Sequence, residues 1–271
     1  MSVSRAARLG LSALALFAIA LGAHAQTKPD YQPEVGQSGK DVVWVPSPQE
    51  LVNKMLDMAK VTPKDFVMDL GSGDGRTVIT AAKRGANALG IEYNPDMVAL
   101  SRRNAEKAGV TDKAVFQEAD IFKTDLTKAS VITLFLLTDL NLKLRPTILT
   151  LKPGTRIVSN TFRMGEWEPD QTVELGCDTY CTAYLWIVPA RVEGAWKSGP
   201  GELVLKQDFQ KISGTLKTGN VSAPIARGKL NGDQISFSAG GAEYHGRVNG
   251  NAIEGTVKAD GKSSTWKASR S

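Results

Sequence analysis

A glycine-rich turn directly after an apolar run is the feature that most constrains this fold. Residues 67–70 read Val-Met-Asp-Leu, glycines follow at positions 71, 73 and 75, and a helical pattern begins at Thr77. Glycine tolerates positive φ and has no Cβ atom, so the backbone N–H groups of such a turn can approach a ligand closely. The pattern predicts a strand, a tight turn and a helix N-terminus, and it favours a cofactor site over an ordinary strand-to-helix turn.

The spacing of the glycines separates several kinds of nucleotide site. Gly71, Gly73 and Gly75 form G-x-G-x-G, whereas the dinucleotide fingerprint is G-x-G-x-x-G. Arg76 and Thr77 do not supply the Lys-Ser/Thr ending of a P-loop. A nicotinamide-dependent dehydrogenase and a P-loop nucleotide site are therefore both disfavoured.

Strand and helix patterns alternate after this turn. Apolar runs occupy residues 88–94, 114–119, 131–137 and 155–159, and a helical pattern covers residues 95–108. The run at 131–137 is apolar except for one threonine, as expected for a strand covered on both faces. The predicted class is α/β, with a Rossmann-like, mostly parallel sheet.

The segments that carry these elements also resemble a known family. VMDLGSGDGR, GIEYN, EADIF, TLFLL and LKPGTRIVS, in this order, resemble the class I S-adenosylmethionine-dependent methyltransferases over roughly residues 45–189. VPSPQELVNKML and LLTDLNLKLRP are similar to the family of protein-lysine methyltransferases that includes the mitochondrial enzymes acting on ATP synthase. The resemblance implies S-adenosyl-L-methionine as the cofactor and methyl transfer to an amine, with a protein lysine as the favoured acceptor.

The resemblance also implies which residues hold the two ends of the cofactor. The turn would surround the methionine part, through Asp69, Gly71, Ser72, Gly73 and Gly75. Glu92, about 20 residues past the glycines, would accept hydrogen bonds from both ribose hydroxyls. Asp120 would accept one from the adenine amino group, with Tyr93 and Ile121 against the ring; a helix cap for Asp120 and a core position for Tyr93 are the alternatives.

Asp139 and Asn141 are the predicted acceptor-positioning residues. They follow the fourth strand, where the resembled fold usually holds the acceptor, although Asp139 could instead cap the next helix. Methyl transfer from a sulfonium needs alignment and exclusion of water rather than a metal. The two histidines, His24 and His245, lie outside this domain, which excludes a histidine-based metal site or a Ser-His-Asp triad within it.

The N-terminus has the pattern of a secretory signal peptide. Arg5 and Arg8 precede an apolar run over residues 9–21, and Ala-His-Ala at 23–25 suits cleavage before Gln26. We therefore expect a signal peptide at residues 1–25, a linker at 26–44 and a periplasmic or secreted protein. A cytoplasmic leader is the alternative for residues 1–25.

An exported nucleoside-binding protein that has lost catalysis is the alternative function.

The last 82 residues form a separate predicted domain, residues 190–271, after the methyltransferase domain at 45–189. They hold 13 of the 26 glycines, and short alternating apolar runs are joined by Asn-Gly signals. This pattern predicts an all-β unit of seven or so antiparallel strands, arranged as a small meander or barrel.

Charge is distributed unevenly between the two predicted domains. Residues 26–189 contain 19 basic and 21 acidic residues, whereas residues 190–271 contain 12 and 7. The basic residues of the tail are dispersed among glycines without a concentrated aromatic-basic cluster, so no nucleic-acid partner is expected. An anionic envelope surface or the methyl acceptor is the expected partner of the tail, and a stabilising appendage with a solvated basic face is the alternative. The oligomeric state is not predicted.

Cys177 and Cys181 are the only cysteines of the chain. A disulfide is the favoured interpretation because an exported protein meets an oxidising compartment. Two free thiols are the second alternative, and a zinc site is the least favoured because two cysteines make an incomplete ligand set.

Overall fold

The protein is described by a computed structural model that covers residues 31–177 and 179–271. The predicted signal peptide, residues 1–25, and residues 26–30 of the predicted linker lie outside the described residues. Two sheets organise the described chain, which passes from the first to the second between Ile187 and Gly194. Within the described residues, no helix combines the length and the apolar character needed to cross a membrane.

The first sheet has seven strands. They are β1 (Phe66–Leu70), β2 (Asn87–Glu92), β3 (Ala114–Glu118), β4 (Val131–Leu134), β5 (Arg156–Asn160), β6 (Gln171–Glu174) and β7 (Thr182–Ile187). Their order is β3-β2-β1-β4-β5-β7-β6; the first five are parallel, and β7 and β6 add an antiparallel edge. This confirms the predicted Rossmann-like, mostly parallel sheet.

Helices and loops cover both faces of this sheet. The helices are α1 (Gln49–Met58), α2 (Arg76–Lys83), α3 (Pro95–Lys107) and α4 (Thr138–Ile148). Alternate residues of β1 face opposite cores: Val67 packs with α1 and α2, whereas Met68 packs on the side of α4. Burial on both faces explains why β1 and β4 read as apolar runs rather than as alternating patterns.

Helix α4 contains Asp139 and Asn141, the two predicted acceptor-positioning residues. It begins at Thr138, only four residues after β4 ends, and has Leu137 as its N-cap. Asp139 therefore lies within the first turn of α4 and does not cap it. Leu144 and Ile148 bury one face of this helix, which fixes its rotation about its own axis.

The loop between β6 and β7 carries a disulfide. Cys177 and Cys181 are bonded to each other, which confirms the favoured interpretation of these two residues. The Leu175 N–H donates to the Cys181 carbonyl at 2.9 Å, so the loop closes directly on the end of β6.

The second sheet is an antiparallel barrel. Its strands are β8 (Gly194–Ser198), β9 (Gly201–Asp208), β10 (Lys211–Thr218), β11 (Val221–Pro224), β12 (Ala226–Asn231), β13 (Gln234–Ala239), β14 (Ala242–Asn249), β15 (Ala252–Ala259) and β16 (Lys262–Arg270). Eight of them close a ring because β10 pairs with both β9 and β12, while β11 pairs with β10 alone. Nine strands are present rather than seven or so, partly because a break at Ile225 divides residues 221–231 into β11 and β12.

The barrel packs against the first sheet on the face that carries Met68 and the α4 residues Leu144 and Ile148. The rings of Trp167 and Phe209 stack with their centroids 5.7 Å apart. Trp167 Nε1 donates to Gln210 Oε1 at 2.9 Å, and Gln210 Nε2 donates to the Glu168 carbonyl at 2.7 Å. Trp167 and Gln210 are both buried, so the turn between β9 and β10 completes the core beneath the parallel sheet.

Candidate active site

A cavity opens at the carboxyl ends of β1, β2 and β4, where ligands bind in open α/β sheets. Eight of the nine predicted cofactor residues line it: Asp69, Gly71, Ser72, Gly73, Glu92, Tyr93, Asp120 and Ile121. Gly75 is not among the lining residues, and neither are the predicted acceptor residues Asp139 and Asn141. The parallel sheet has therefore brought together side chains that are up to 52 positions apart in sequence.

The glycine turn has the left-handed backbone that its composition predicts. The φ angles of Gly71, Gly73 and Gly75 are 81°, 53° and 84°. A Cβ atom on Gly73 would lie 2.7 Å from Nε1 of Trp44, so the indole rests directly on the turn. Any side chain at position 73 would displace Trp44 in addition to straining the backbone.

Gly75 has a packing role rather than a lining role. It is the N-cap of α2, and a Cβ atom there would lie 2.7 Å from the Phe116 ring and 3.0 Å from Ser101 Cβ. Its lack of a side chain lets α2 begin close to β3 and α3. The sequence pattern could not separate this role from cofactor contact because all three glycines belong to one turn.

Glu92 ties the turn to the end of β2. Its Oε2 atom accepts from the Gly73 N–H at 2.9 Å, and its Oε1 atom accepts from the N–H groups of Tyr93 and Asn94 at 2.9 and 3.0 Å. An ionised carboxylate has about four lone-pair positions. These three backbone bonds therefore hold the carboxylate in place and leave acceptor capacity for a ligand hydroxyl.

Asp69 is a buried acid at the end of β1. Burial raises the pKa of Asp69 to about 7, opposed by a hydrogen bond from Thr133, whose Oγ1 atom lies 2.5 Å from Asp69 Oδ1. The carboxylates of Glu92 and Asp74 raise this pKa further. A cation in the cavity would be attracted by the ionised form of Asp69 and would oppose these effects.

Ser72 lines the cavity but turns its hydroxyl towards β2. A Cβ atom on Gly90 would lie 2.6 Å from Ser72 Oγ, which shows how closely the two elements pack. This Oγ atom is buried and has no hydrogen-bond partner among the described residues. Ser72 thus lines the cavity and carries a hydroxyl with unused hydrogen-bonding capacity.

Asp120 lines the same cavity and is paired with Lys40. Lys40 Nζ donates to Asp120 Oδ2 at 2.9 Å, and the Phe122 N–H donates to Oδ1 at 2.9 Å. The Lys40 hydrogen bond, followed by that from Phe122, holds the pKa of Asp120 below its usual value. Lys40 Nζ also lies 4.7 Å from the centre of the Tyr93 ring. The bond to Phe122 is a local turn contact, and turns rather than a helix follow Asp120.

A short hairpin supplies Lys40 and Trp44. Ser38 and Val43 form a β-bridge, the Gly36 N–H donates to the Trp44 carbonyl at 2.9 Å, and the Trp44 N–H donates to the Gln37 carbonyl at 2.9 Å. We call residues 36–44 the N-terminal hairpin. This part of the predicted linker is therefore a wall of the cavity. The sequence does not indicate this, because a run of glycine, serine and charged residues resembles a connecting segment.

Arg76 is a second residue that the sequence analysis missed. Its guanidinium donates to Asp74 through Nη2 at 2.6 Å and to the Ser47 carbonyl through Nη1 at 2.7 Å. These bonds tie the chain before α1 to the glycine turn. Its position directly after the third glycine was the available signal.

The end of the cavity beside β4 is apolar and aromatic. It is lined by Phe135, Leu136, Leu137, Leu140, Phe162 and Tyr180. Aromatic rings at a cavity mouth present apolar area and a negative face to a ligand. This end suits an alkyl chain that carries an amine better than it suits a charged phosphate.

The two predicted acceptor residues point elsewhere. Asn141 is fully buried, and its Nδ2 atom donates to the carbonyls of Phe162 and Arg163 at 3.2 and 3.4 Å. Asp139 is exposed in the first turn of α4 and does not line the cavity. The rotation of α4 places Leu137 and Leu140 rather than these two residues against the cavity, and that rotation follows from helix packing that sequence spacing does not reveal. Their role in positioning the acceptor stays a prediction.

Comparisons with known proteins identify relatives of part of this chain. The family model of the ANTKMT methyltransferase domain matches residues 69–171. A protein-lysine N-methyltransferase from Saccharolobus islandicus is 40% identical over 151 residues, which are 54% of this chain and 94% of that protein. A lysine N-methyltransferase of ATP synthase from Mus musculus is 36% identical over 140 residues, which are 50% of this chain and 55% of that protein.

A solved structure shares the fold of the same part of the chain. It is an RNA methyltransferase from Salinibacter ruber in complex with S-adenosyl-L-homocysteine, with 47% identity and a TM-score of 0.52. The match covers 55% of this chain and 96% of that one. The nine predicted cofactor residues lie within residues 69–171, the part matched by the family model, whereas Lys40, Trp44 and Tyr180 lie outside it.

Proposed function

The chain belongs to the S-adenosylmethionine-dependent methyltransferases, and we propose that it transfers the methyl group to the Nζ atom of a protein lysine. The cofactor and the reaction class follow from the family, whereas the acceptor is our proposal. Two relatives that are named as lysine methyltransferases support it, at 40% and 36% identity. The apolar, aromatic end of the cavity beside β4 is the observation on which the proposal rests.

An amine entering this end of the cavity would lose water. Phe135, Phe162 and Leu140 surround it with carbon rather than with hydrogen-bonding groups. Desolvation disfavours the ammonium form, so the pKa of the amine falls and the nitrogen lone pair becomes available. The released proton passes to solvent at the mouth, and no dedicated base is required.

The remaining chemistry is alignment. Bound S-adenosylmethionine supplies an electrophilic methyl group on a sulfonium. The glycine turn and Glu92 fix one side of the cavity through backbone hydrogen bonds, while Leu136 and Phe135 fix the other side at the end of β4. Rigid walls that hold donor and acceptor in line provide most of the rate enhancement that such a displacement needs.

The assignment of Glu92 to the ribose hydroxyls is part of this proposal and can be tested by a double cycle. Glu92→Gln and loss of a ribose hydroxyl, as in a deoxy analogue of S-adenosylhomocysteine, should each weaken binding roughly tenfold, because hydrogen bonds to charged groups contribute about 1.5–3 kcal/mol. Calorimetry should show that the two losses are not additive. Full additivity would mean that Glu92 does not contact the ribose.

A protein acceptor must also be separated from RNA, because one matched structure is an RNA methyltransferase. The charge of residues 26–189 disfavours RNA as the acceptor. This segment contains 19 basic and 21 acidic residues, whereas RNA binding relies on a positively charged surface. Transfer of labelled methyl from S-adenosylmethionine to matched protein and RNA fractions shows which of the two classes of macromolecule is methylated. Label in the RNA fraction would overturn the lysine proposal while leaving the reaction class intact.

We also propose that the protein acts in the periplasm or outside the cell. The signal-peptide pattern at residues 1–25 and the Cys177–Cys181 disulfide support this location. Mass spectrometry of the protein from fractionated cells should find a mature N-terminus at Gln26 in the exported fraction. A chain that retains Met1 in the cytosol would refute export.

The barrel is our proposed contact with an anionic envelope surface. Residues 190–271 carry 12 basic and 7 acidic residues, and charge attraction to anionic lipid grows with each Lys or Arg near the surface. The mature protein should sediment with phosphatidylglycerol vesicles at low salt and not with phosphatidylcholine vesicles. Sedimentation with neither kind of vesicle would leave the barrel a structural role, and equal sedimentation with both would contradict a contact based on charge.

A further inference from the structure

Three aromatic side chains from distant parts of the chain meet at the apolar end of the cavity. The rings of Phe135 and Phe162 stack with centroids 6.0 Å apart, and Tyr180 meets Phe135 edge-on at 5.1 Å and Phe162 at 6.4 Å. All three line the cavity. They follow β4, β5 and β6 respectively, so the sheet and not the local sequence creates the cluster.

Tyr180 lies within the loop that the Cys177–Cys181 disulfide closes. It directly precedes Cys181 and has a φ of 56°, a conformation that is uncommon for a residue with a side chain. Cys177, four positions before Cys181, closes the loop, and its N–H donates to the Leu175 carbonyl at 3.0 Å. Thr182, next after the loop, accepts from the Thr161 N–H at 2.7 Å through its carbonyl, which brings the base of the loop beside Phe162. The Tyr180 side chain remains 38% exposed, so a ligand can reach its ring.

We infer that Phe135, Phe162 and Tyr180 form the subsite for the acceptor amine and its methylated products, and that the Cys177–Cys181 disulfide positions Tyr180 within it. This inference rests on the proposed amine acceptor and names the residues that recognise it. None of the three side chains carries a carboxylate, so the cluster offers ring faces and no ion pair. An ammonium ion becomes larger and less hydrated with each added methyl group, and ring faces then compete better with water.

The cluster consequently favours the methylated forms of the acceptor. An unmethylated ammonium keeps three strong donors that aromatic faces satisfy poorly, whereas a trimethylammonium has none. The subsite would therefore retain partly methylated lysine long enough for further transfers. The expected ranking of affinities is trimethyl above dimethyl above monomethyl above unmethylated lysine.

The test uses the mature protein saturated with S-adenosylhomocysteine. N-acetyl-lysine methylamide with zero, one, two or three Nζ methyl groups is titrated in, and binding is followed by NMR. Tyr180→Ala should weaken binding of the trimethyl probe about five- to tenfold, in line with a cation–π contact that is partly desolvated. Tyr180→Phe, the matched control, should retain the wild-type affinity because it keeps the ring.

The same probe tests the disulfide. Reduction with dithiothreitol, or Cys177→Ser combined with Cys181→Ser, should lower trimethyl affinity at least threefold and flatten the ranking, with the affinity for S-adenosylhomocysteine unchanged within twofold. Reduction affects no other bond, because the chain has two cysteines. It also replaces the double variant should that variant fail to fold.

The outcomes separate this inference from the proposed function. Failure to bind S-adenosylhomocysteine would refute the assignment of the cofactor site, whatever the probe does. Cofactor binding and protein-lysine methylation together with no preference for the trimethyl probe, or with no effect of Tyr180→Ala, would refute the aromatic subsite alone. If Tyr180→Ala weakened binding of the trimethyl probe but reduction of the disulfide did not, the role of the disulfide would be refuted.

Discussion

Asp69 combines a fixed position with a variable charge. Its carboxyl is buried at the end of β1 beside Thr133, and its pKa of about 7 lies well above the 3.8 of a free aspartate. The neutral acid thus predominates below pH 7 in the cofactor-free protein. The charge of Asp69 becomes available to a cationic ligand only as the pH rises.

This raised pKa predicts a pH-dependent effect of Asp69→Asn. The acid stabilises the fold fully below pH 3.8, and this contribution is lost as the pH rises through about 7, because the buried carboxylate must then be ionised. Asparagine has no such cost. Asp69→Asn should therefore improve the free energy of unfolding more at pH 8.5 than at pH 5.5, by on the order of 2 kcal/mol. Urea unfolding measures it, and an equal change at both pH values would contradict the raised pKa.

Gly73 tests whether the turn needs glycine for its backbone or for its closeness to Trp44. Gly73→Ala places a Cβ atom 2.7 Å from Trp44 Nε1 at a φ of 53°. Gly109→Ala is the matched control, because Gly109 has a φ of 67° and nothing within 4 Å of the added atom. Both should lose about 1 kcal/mol of stability from backbone strain. Gly73→Ala alone should reduce the affinity for S-adenosylhomocysteine more than about tenfold, the expected size of a displaced cavity wall. Similar affinities for the two variants would show that Trp44 adjusts freely.

At the scale of elements, the strands that could be predicted from the sequence are those buried on both faces of the sheet. Strands β1 and β4 were predictable because both faces are covered and the runs are apolar throughout. The disulfide was predicted from the two cysteines together with the expected export, and the glycine and Asn-Gly pattern predicted an antiparallel meander or barrel without deciding between them. The alternative that Asp139 caps the helix after β4 was wrong, because the helix begins at Thr138 with Leu137 as its N-cap and Asp139 lies in its first turn.

The site was predictable where it depended on strand ends and unpredictable where it depended on orientation. Asp69, Glu92 and Asp120 line the cavity because parallel strands end at one edge of the sheet. Asn141 is buried away from it because the packing of α4 sets its direction. The aromatic cluster joins residues that are 45 positions apart at its extremes, and no local pattern marks it.

We expect the N-terminal hairpin to influence cofactor entry, because it lines the cavity. Lys40 forms an ion pair with Asp120, the carboxylate proposed to bind the adenine amino group. Lys40→Met should speed association of S-adenosylhomocysteine and raise its affinity about two- to fivefold, because the cofactor no longer competes with an exposed ion pair of modest strength. Stopped-flow tryptophan fluorescence is suited to this measurement, because Trp44, one of the five tryptophans of the chain, lines the cavity.

A second exposed lysine provides the control for Lys40. Lys267 is paired with Glu254 on the barrel at 2.9 Å and does not line the cavity. Lys267→Met should leave association unchanged. Slower association with Lys40→Met would mean that the hairpin assists entry and does not compete with it.

At the scale of the whole molecule, the barrel and the first sheet share a buried polar contact. Gln210 satisfies both the Trp167 indole and the Glu168 carbonyl. Gln210→Ala leaves both without a partner and should reduce the free energy of unfolding by about 2 kcal/mol, whereas Gln234→Ala, at an exposed position of β13, should change little.

This contact also predicts cooperative unfolding. Calorimetry of the mature protein should give one transition, which Gln210→Ala shifts to lower temperature as a whole. Two separate transitions, with the variant altering only one of them, would show that the barrel is an independent appendage. The barrel would then have no mechanical connection with the core beneath the active site.

The most direct test of the central claim is transfer of labelled methyl from S-adenosylmethionine to envelope protein, followed by mass spectrometry of the labelled peptides. We predict label on the Nζ atom of lysine, with no label in matched RNA and a strong reduction for Glu92→Gln. Label on RNA or on a residue other than lysine would contradict the proposed acceptor. Tight binding of S-adenosylhomocysteine without transfer to any protein fraction would contradict the account of this cavity as the active site of a lysine methyltransferase.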